Sequence, residues 1–152
     1  VARTSVQEII NGTTITAGAV KGTFFVGTAT AANYADLAEK YLPDADYEVG
    51  TVVVIGGEKE ITASSYGKRA IGVISENPAY MMNAELEGGV YVALKGRVPV
   101  KVSGPVNKGD SLVGASEGTA SIVANSGDSR VFAIALESNN SHDVKLVECI
   151  IL

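Results

Sequence analysis

The chain has 152 residues, of which 46% are hydrophobic and 19% charged, with a formal net charge of −5 at pH 7. That length suits one domain with an appendage, or two small modules, and it is enough to bury a real core. Its twelve lysines and arginines are scattered, the densest group being Lys95, Arg97 and Lys101, so neither nucleic acid nor an anionic membrane surface is an expected partner, and no apolar run approaches the roughly 18 residues of a spanning helix.

Seventeen glycines and four prolines, set among many Val, Thr, Ala and Ser, favour short strands joined by tight turns. The chain opens Val1-Ala2-Arg3-Thr4, which reads as a fragment or processed product of a longer polypeptide. Residues 13–32 are nearly uncharged, with short apolar alternations broken by Gly18, Gly22 and Gly27. So few large side chains cannot form a core within one chain. Identical chains wound together solve that problem, each burying its few hydrophobes against its neighbours. Residues 1–32 are therefore expected to be fibre-like, with Phe24, Phe25 and Val26 at contacts between chains.

Residues 33–46 are expected to form a short helix and a connector. Ala35, Leu37, Ala38, Glu39 and Lys40 are good helix formers, and Asn33 is a cap candidate. Helical spacing sets Tyr34, Leu37, Ala38 and Tyr41 on one apolar face, and it sets Asp36 and Glu39 on a shared surface. Neighbouring carboxylates can raise one another's pKa and act as an acid/base pair; a plain polar face is the simpler reading of these two.

Residues 47–152 are expected to form a β-rich domain. Residues 52–55 and 58–62 read as a hairpin across Gly56-Gly57. Residues 70–74 and 91–94 read as further strands, and 96–102 alternate strictly, with Val98, Val100 and Val102 on one face. Pro99 lacks a ladder donor, so that strand is expected at an edge. Residues 77–83 form an apolar loop. Tyr80, Met81 and Met82 suit a contact between subunits better than a free surface. An internal repeat relates residues 50–77 to 109–138, with Arg69 and Arg130 each opening an apolar strand. The expected fold is mainly β, a compact barrel or sandwich of two similar β-units closed by residues 144–152.

Chemistry is sparse. His142 lies in a polar loop beside Asp143 without a nucleophile elbow. One histidine and one cysteine give no metal-ligand spacing. Asp44 and Asp46 lack the glycine and distal glutamate of a calcium loop. Cys149 reads as a core thiol. No enzyme activity, cofactor or metal is expected.

The runs TATAANYADLAEKYLPDADYEVGTVVVIGGEKEIT, RAIGVISENPAYMMN and VALKGRVPVKVSGPVNKGDSLVGASEGTA together resemble a C-terminal domain of phage tail fibres and related virion structural proteins. The resemblance covers residues 28–152. It implies a parallel homotrimer on the exterior of a virion, at tail or capsid, with the N-terminal segment as the end of a shaft and the β-domain capping it. Phe24, Phe25, Val26, Tyr34, Leu37 and Tyr41 would then meet around the three-fold axis. Other virion proteins and a host-surface receptor are the implied partners. Two alternatives remain open. Tyr34 to Glu39 is loosely similar to the start of self-cleaving chaperone domains at fibre ends, which would make Asp36 and Glu39 catalytic. The strand ending at Glu137 and the final strand are similar to trimeric capsid decoration proteins.

Overall fold

The computed structural model describes residues 35–152. Phe24, Phe25, Val26 and Tyr34 lie outside them, as does the whole fibre-like segment 1–32.

In chain order the strands are β1 (Asp36–Tyr41), β2 (Val52–Ile55), β3 (Ile61–Ala63), β4 (Gly72–Ile74), β5 (Tyr80–Met82), β6 (Val90–Val102), β7 (Ser111–Gly114), β8 (Ala120–Ile122), β9 (Ala133–Ala135) and β10 (Lys145–Ile151). The class is mainly β, as the composition predicts. Five strands close a barrel: β6 pairs β10, β10 pairs β9, β9 pairs β7, β7 pairs β8, and β8 returns to β6 through the parallel bridge Val102↔Ala120. The first half of β6 carries the other strands, with β4 and then β2 and β3 following from one edge and β1 pairing β6 directly.

The two segments related in sequence share one pairing scheme. β2 pairs antiparallel with β3 and with β4, and β7 pairs antiparallel with β8 and with β9. In each case the third strand then pairs antiparallel with a long one, β4 with β6 and β9 with β10. Ser64, at the end of the first hairpin, lies 2.9 Å from the carbonyl of Ala115 and 3.0 Å from that of Thr119. Its single proton is shared between two acceptors of the second unit.

Residues 36–41, for which the sequence predicts helix, form β1 instead. Two turns of helix are marginal alone, whereas this segment gains an antiparallel ladder with β6 and a parallel one with β5, and Ala38 is fully buried. The sheet thus begins at Asp36, ahead of the span 47–152. A strand turns side chains alternately to opposite faces, so the single apolar face of Leu37, Ala38 and Tyr41 does not exist.

Strand β6 is central, not an edge, despite Pro99. The N–H of Arg97 donates to the Ala35 carbonyl at 3.0 Å, and that of Lys101 to the Gly50 carbonyl at 2.8 Å. Strand residues two apart present their N–H groups to the same side. The donor that Pro99 lacks therefore falls in the gap between Ala35 and Gly50. The proline is tolerated because β6 is locally unpaired there.

Two clusters make the core. One fills the barrel with Val98, Val100, Val102, Leu112, Phe132, Val147 and Cys149 among others, and the smaller joins Val53, Ile61, Ile74 and Val92. Burial, with Glu148 and Glu137 nearby, pushes the Cys149 thiol up to about 12 from an ordinary value of 9.0. Above pH 9 the unfolded chain releases this proton while the folded chain keeps it, so the contribution is whole below 9 and is lost as pH rises toward 12. Urea midpoints taken at pH 8 and pH 10 should fall more steeply for the native chain than for Cys149→Ala. Equal slopes would mean the thiol is not shielded.

Candidate assembly surface

Strands β1 and β5 bring several of the expected contact residues together. Their parallel ladder sets Leu37 beside Tyr80, Ala38 beside Met81 and Glu39 beside Met82. Tyr80 and Met81 are 64% and 52% exposed, while Met82 is half-buried. Pro78 is buried and the Ala79 N–H donates to the Asp36 carbonyl at 3.0 Å, which anchors this loop as a strand. Tyr41 is placed differently: it packs against the smaller core cluster and donates its hydroxyl to Glu39 at 2.9 Å. Burial first, then this bond and the charges of Glu39 and Glu60, push the Tyr41 phenol up to about 12.

Asp36 and Glu39 do not form a pair on one surface. Three positions apart on a strand, they face opposite sides. Asp36 is 6% exposed and Glu39 half-buried beneath the Tyr41 hydroxyl. His142 is exposed in its loop, and among the described residues no cluster of His, Cys, Asp and Glu could hold a metal ion.

An outward apolar stripe along the last strand was not among the sequence expectations. Along residues 144–152 the odd positions Val147, Cys149 and Ile151 enter the barrel, while Val144, Leu146, Ile150 and Leu152 stand outward at 56%, 50%, 40% and 56% exposure. At a strand's rise of about 3.3 Å per residue the stripe runs for roughly 26 Å. Across the ladders, Ile150 lies opposite Arg97 on β6 and Ile134 on β9, Glu148 opposite Pro99, and Leu146 opposite Lys101. Glu148 thus interrupts the stripe between Leu146 and Ile150, and the cations Arg97 and Lys101 lie beside it. Lys101 pairs with Glu48 at 2.7 Å and holds that carboxyl below its ordinary pKa. One signal could have revealed the stripe: β10 carries large apolar residues on both of its faces, Glu148 excepted, although only one face is needed to line a barrel.

A cavity of about 360 Å³ opens where Pro99 leaves β6 unpaired, between Ala35 and Val49. Asp36, Glu76, Glu148 and Arg97 line it, above walls that include Ile74 and Val98. Asp36 Oδ2 is buried with no hydrogen-bond partner among the described residues.

A closed five-stranded barrel with a strand-sharing extension is the class of fold this sequence builds. Among solved structures it is similar to pre-mature gene product 12 of bacteriophage phi29, with a TM-score of 0.65 and 14% identity over 83% of this chain and 23% of that one. It is also similar to the C-terminal fragment of the same phage protein, with a TM-score of 0.60 and 16% identity over 77% of this chain and 100% of the fragment. The N base of the phi29 head fiber gp8.5 aligns more loosely, with a TM-score of 0.46 and 19% identity over 76% of this chain and 93% of that one. The chain spans about a quarter of pre-mature gene product 12, at 23% of its length. No protein-family model and no curated protein matches the sequence.

Proposed function

We propose that the chain is a non-enzymatic structural module of a phage-type virion fibre that assembles as a homotrimer. The observation that carries this reading is the outward apolar face of residues 144–152. A lone barrel gains nothing from four large hydrophobes held in water, whereas a subunit contact buries them. The charges beside the stripe suit a second copy, because Arg97 of one chain can meet Glu148 of another. Likeness of fold along the whole of the phi29 gene product 12 C-terminal fragment supports a place in a phage virion. In this arrangement Tyr80 and Met81 on β5 are free to contact other virion proteins or a host-surface receptor.

Light scattering on the purified chain tests the reading. The expected mass is near three times 15.6 kDa, holding constant on dilution into the micromolar range. A mass of 15.6 kDa at every concentration would remove the assembly role.

A further inference from the structure

The first half of the sheet closes on itself as well, at a different kind of seam. β1 pairs β6, β6 pairs β4, β4 pairs β2, β2 pairs β3, and β3 returns to the end of β1 through the parallel bridge Pro43↔Ile61. Val53, Ile61, Ile74 and Val92 of this ring form the smaller core cluster, with Tyr47 packed against it. The bridge that closes the other barrel, Val102↔Ala120, lies 59 positions further on at both partners. The bonds match too. The Asp44 N–H donates to the Ile61 carbonyl at 3.1 Å, as the Ser103 N–H donates to that of Ala120 at 2.9 Å. The chain thus closes the same ring twice, with β6 the last strand of one and the first of the other.

The two seams are not equally held. Val102 is paired on its other side with Lys145, at the end of the ladder that joins β6 to β10. Pro43 lies beyond the β1–β6 ladder, which ends at Tyr41↔Val90, and proline has no N–H to give. The Glu60 and Ile61 amides share one acceptor, the Leu42 carbonyl, at 3.1 and 3.2 Å. Side chains supply the rest of the fastening. The Leu42 N–H donates to the exposed Glu60 carboxylate at 2.7 Å. The Tyr47 hydroxyl accepts from the Ala63 N–H at 3.1 Å and donates to the Asp44 carboxylate. That last bond, with Thr62 and Lys59 beside it, holds the Asp44 carboxyl below its ordinary pKa, so the anchor is charged at neutral pH.

We propose that residues 42–47 are a clasp on the first ring, which swings away from β3 as a unit while the second barrel stays shut. Open, it uncovers the Ile61 and Ala63 amides along the β3 edge and lifts Tyr47 off the smaller core. Shut, it denies other chains a bare strand edge. A few bonds to a strap at one seam, against a strand held from both sides at the other, give the two openings different free energies.

Hydrogen exchange of the full chain, followed residue by residue by NMR, tests the clasp. In the native chain the Asp44, Ile61 and Ala63 amides should show protection factors at least about tenfold below that of Ser103. Tyr47→Phe removes the hydroxyl and keeps the ring. It should lower protection at Asp44 and Ala63 roughly tenfold further and leave Ser103 unchanged. Equal protection of Asp44 and Ser103 in the native chain would overturn the proposal, and that comparison needs no variant that misfolds. A loss in Tyr47→Phe that is equal at both seams would overturn it too, since general destabilisation acts on both alike. The seam lies within one chain, so the same ratio is expected at two protein concentrations about tenfold apart. A ratio that disappears on dilution would assign the difference to subunit contacts and reject the clasp. Failure of the clasp is thereby distinguishable from failure of the trimer.

Discussion

Replacing Leu146 and Ile150 together by aspartate is expected to reduce the light-scattering mass from about three chains to one, with circular dichroism and melting temperature nearly unchanged. Both side chains stand outward from β10, at 50% and 40% exposure, so the fold loses little when they change. At the centre of an interface each would count among the few residues that dominate association, at about 2 kcal/mol or more apiece. Aspartate adds the cost of burying an unpaired charge. Together they should weaken association by roughly three orders of magnitude or more. The control is Val147, which points inward and is fully buried: Val147→Asp should unfold the barrel. If the double aspartate variant keeps the native mass, the stripe is not the subunit contact, and Tyr80 and Met81 become the next surface to alter.

Gly96→Ala should be the most destabilising small substitution in the sheet. Gly96 has φ +106°, and a Cβ there would sit 2.2 Å from the Ala35 carbonyl oxygen and 2.9 Å from the Asp36 Cα. Both obstacles are backbone, so no side-chain rotation relieves them. The residue lies where β6 meets the start of β1 and the end of β10, opposite Asp36 and Ile151 at once. Alanine must push β1 away or force φ back. The combined cost is about 3–5 kcal/mol, a fall in melting temperature of roughly 6–15 °C for a domain of this size. Gly104 offers the comparison. Its φ is +80° but nothing lies within 4 Å of a Cβ, so Gly104→Ala should cost only about 1 kcal/mol. Equal effects at the two sites would show that backbone strain alone, not the close approach of β1, is what Gly96 relieves.

Much of the barrel was legible in sequence because its signals are local. The alternation of Val98, Val100 and Val102 identifies the inward face of β6, and all three are buried. The Gly56-Gly57 turn marks the β2–β3 hairpin, and the arginines before the third strand of each unit mark the repeat. What failed depended on long-range pairing. Residues 36–41 carry helical propensity, yet strands β5 and β6, some forty and more residues away, decide their state. Spacing rules then put Ala38 on the wrong face relative to Leu37 and Tyr41, and Asp36 relative to Glu39, since a period of 3.6 became a period of 2. The Pro99 rule named the right defect at the wrong scale: the strand is central, and only its edge at that one residue is bare. The outer face of β10 was hidden because Leu146, Ile150 and Leu152 alternate with Val147, Cys149 and Ile151. A strand apolar on both sides reads as buried on both until its neighbours are known.

The shared strand also decides how the two halves can be inherited and how they bear load. β6 gives its first half to the ladders with β1 and β4, and its second half to those with β10 and β8. Neither repeat can be transplanted as a cassette, because β6 lies outside both and a graft would leave β4 or β8 without the strand it pairs with. For the same reason a pull along β6 meets its antiparallel ladders broadside. The bonds resist in shear, many at once, instead of peeling apart one after another.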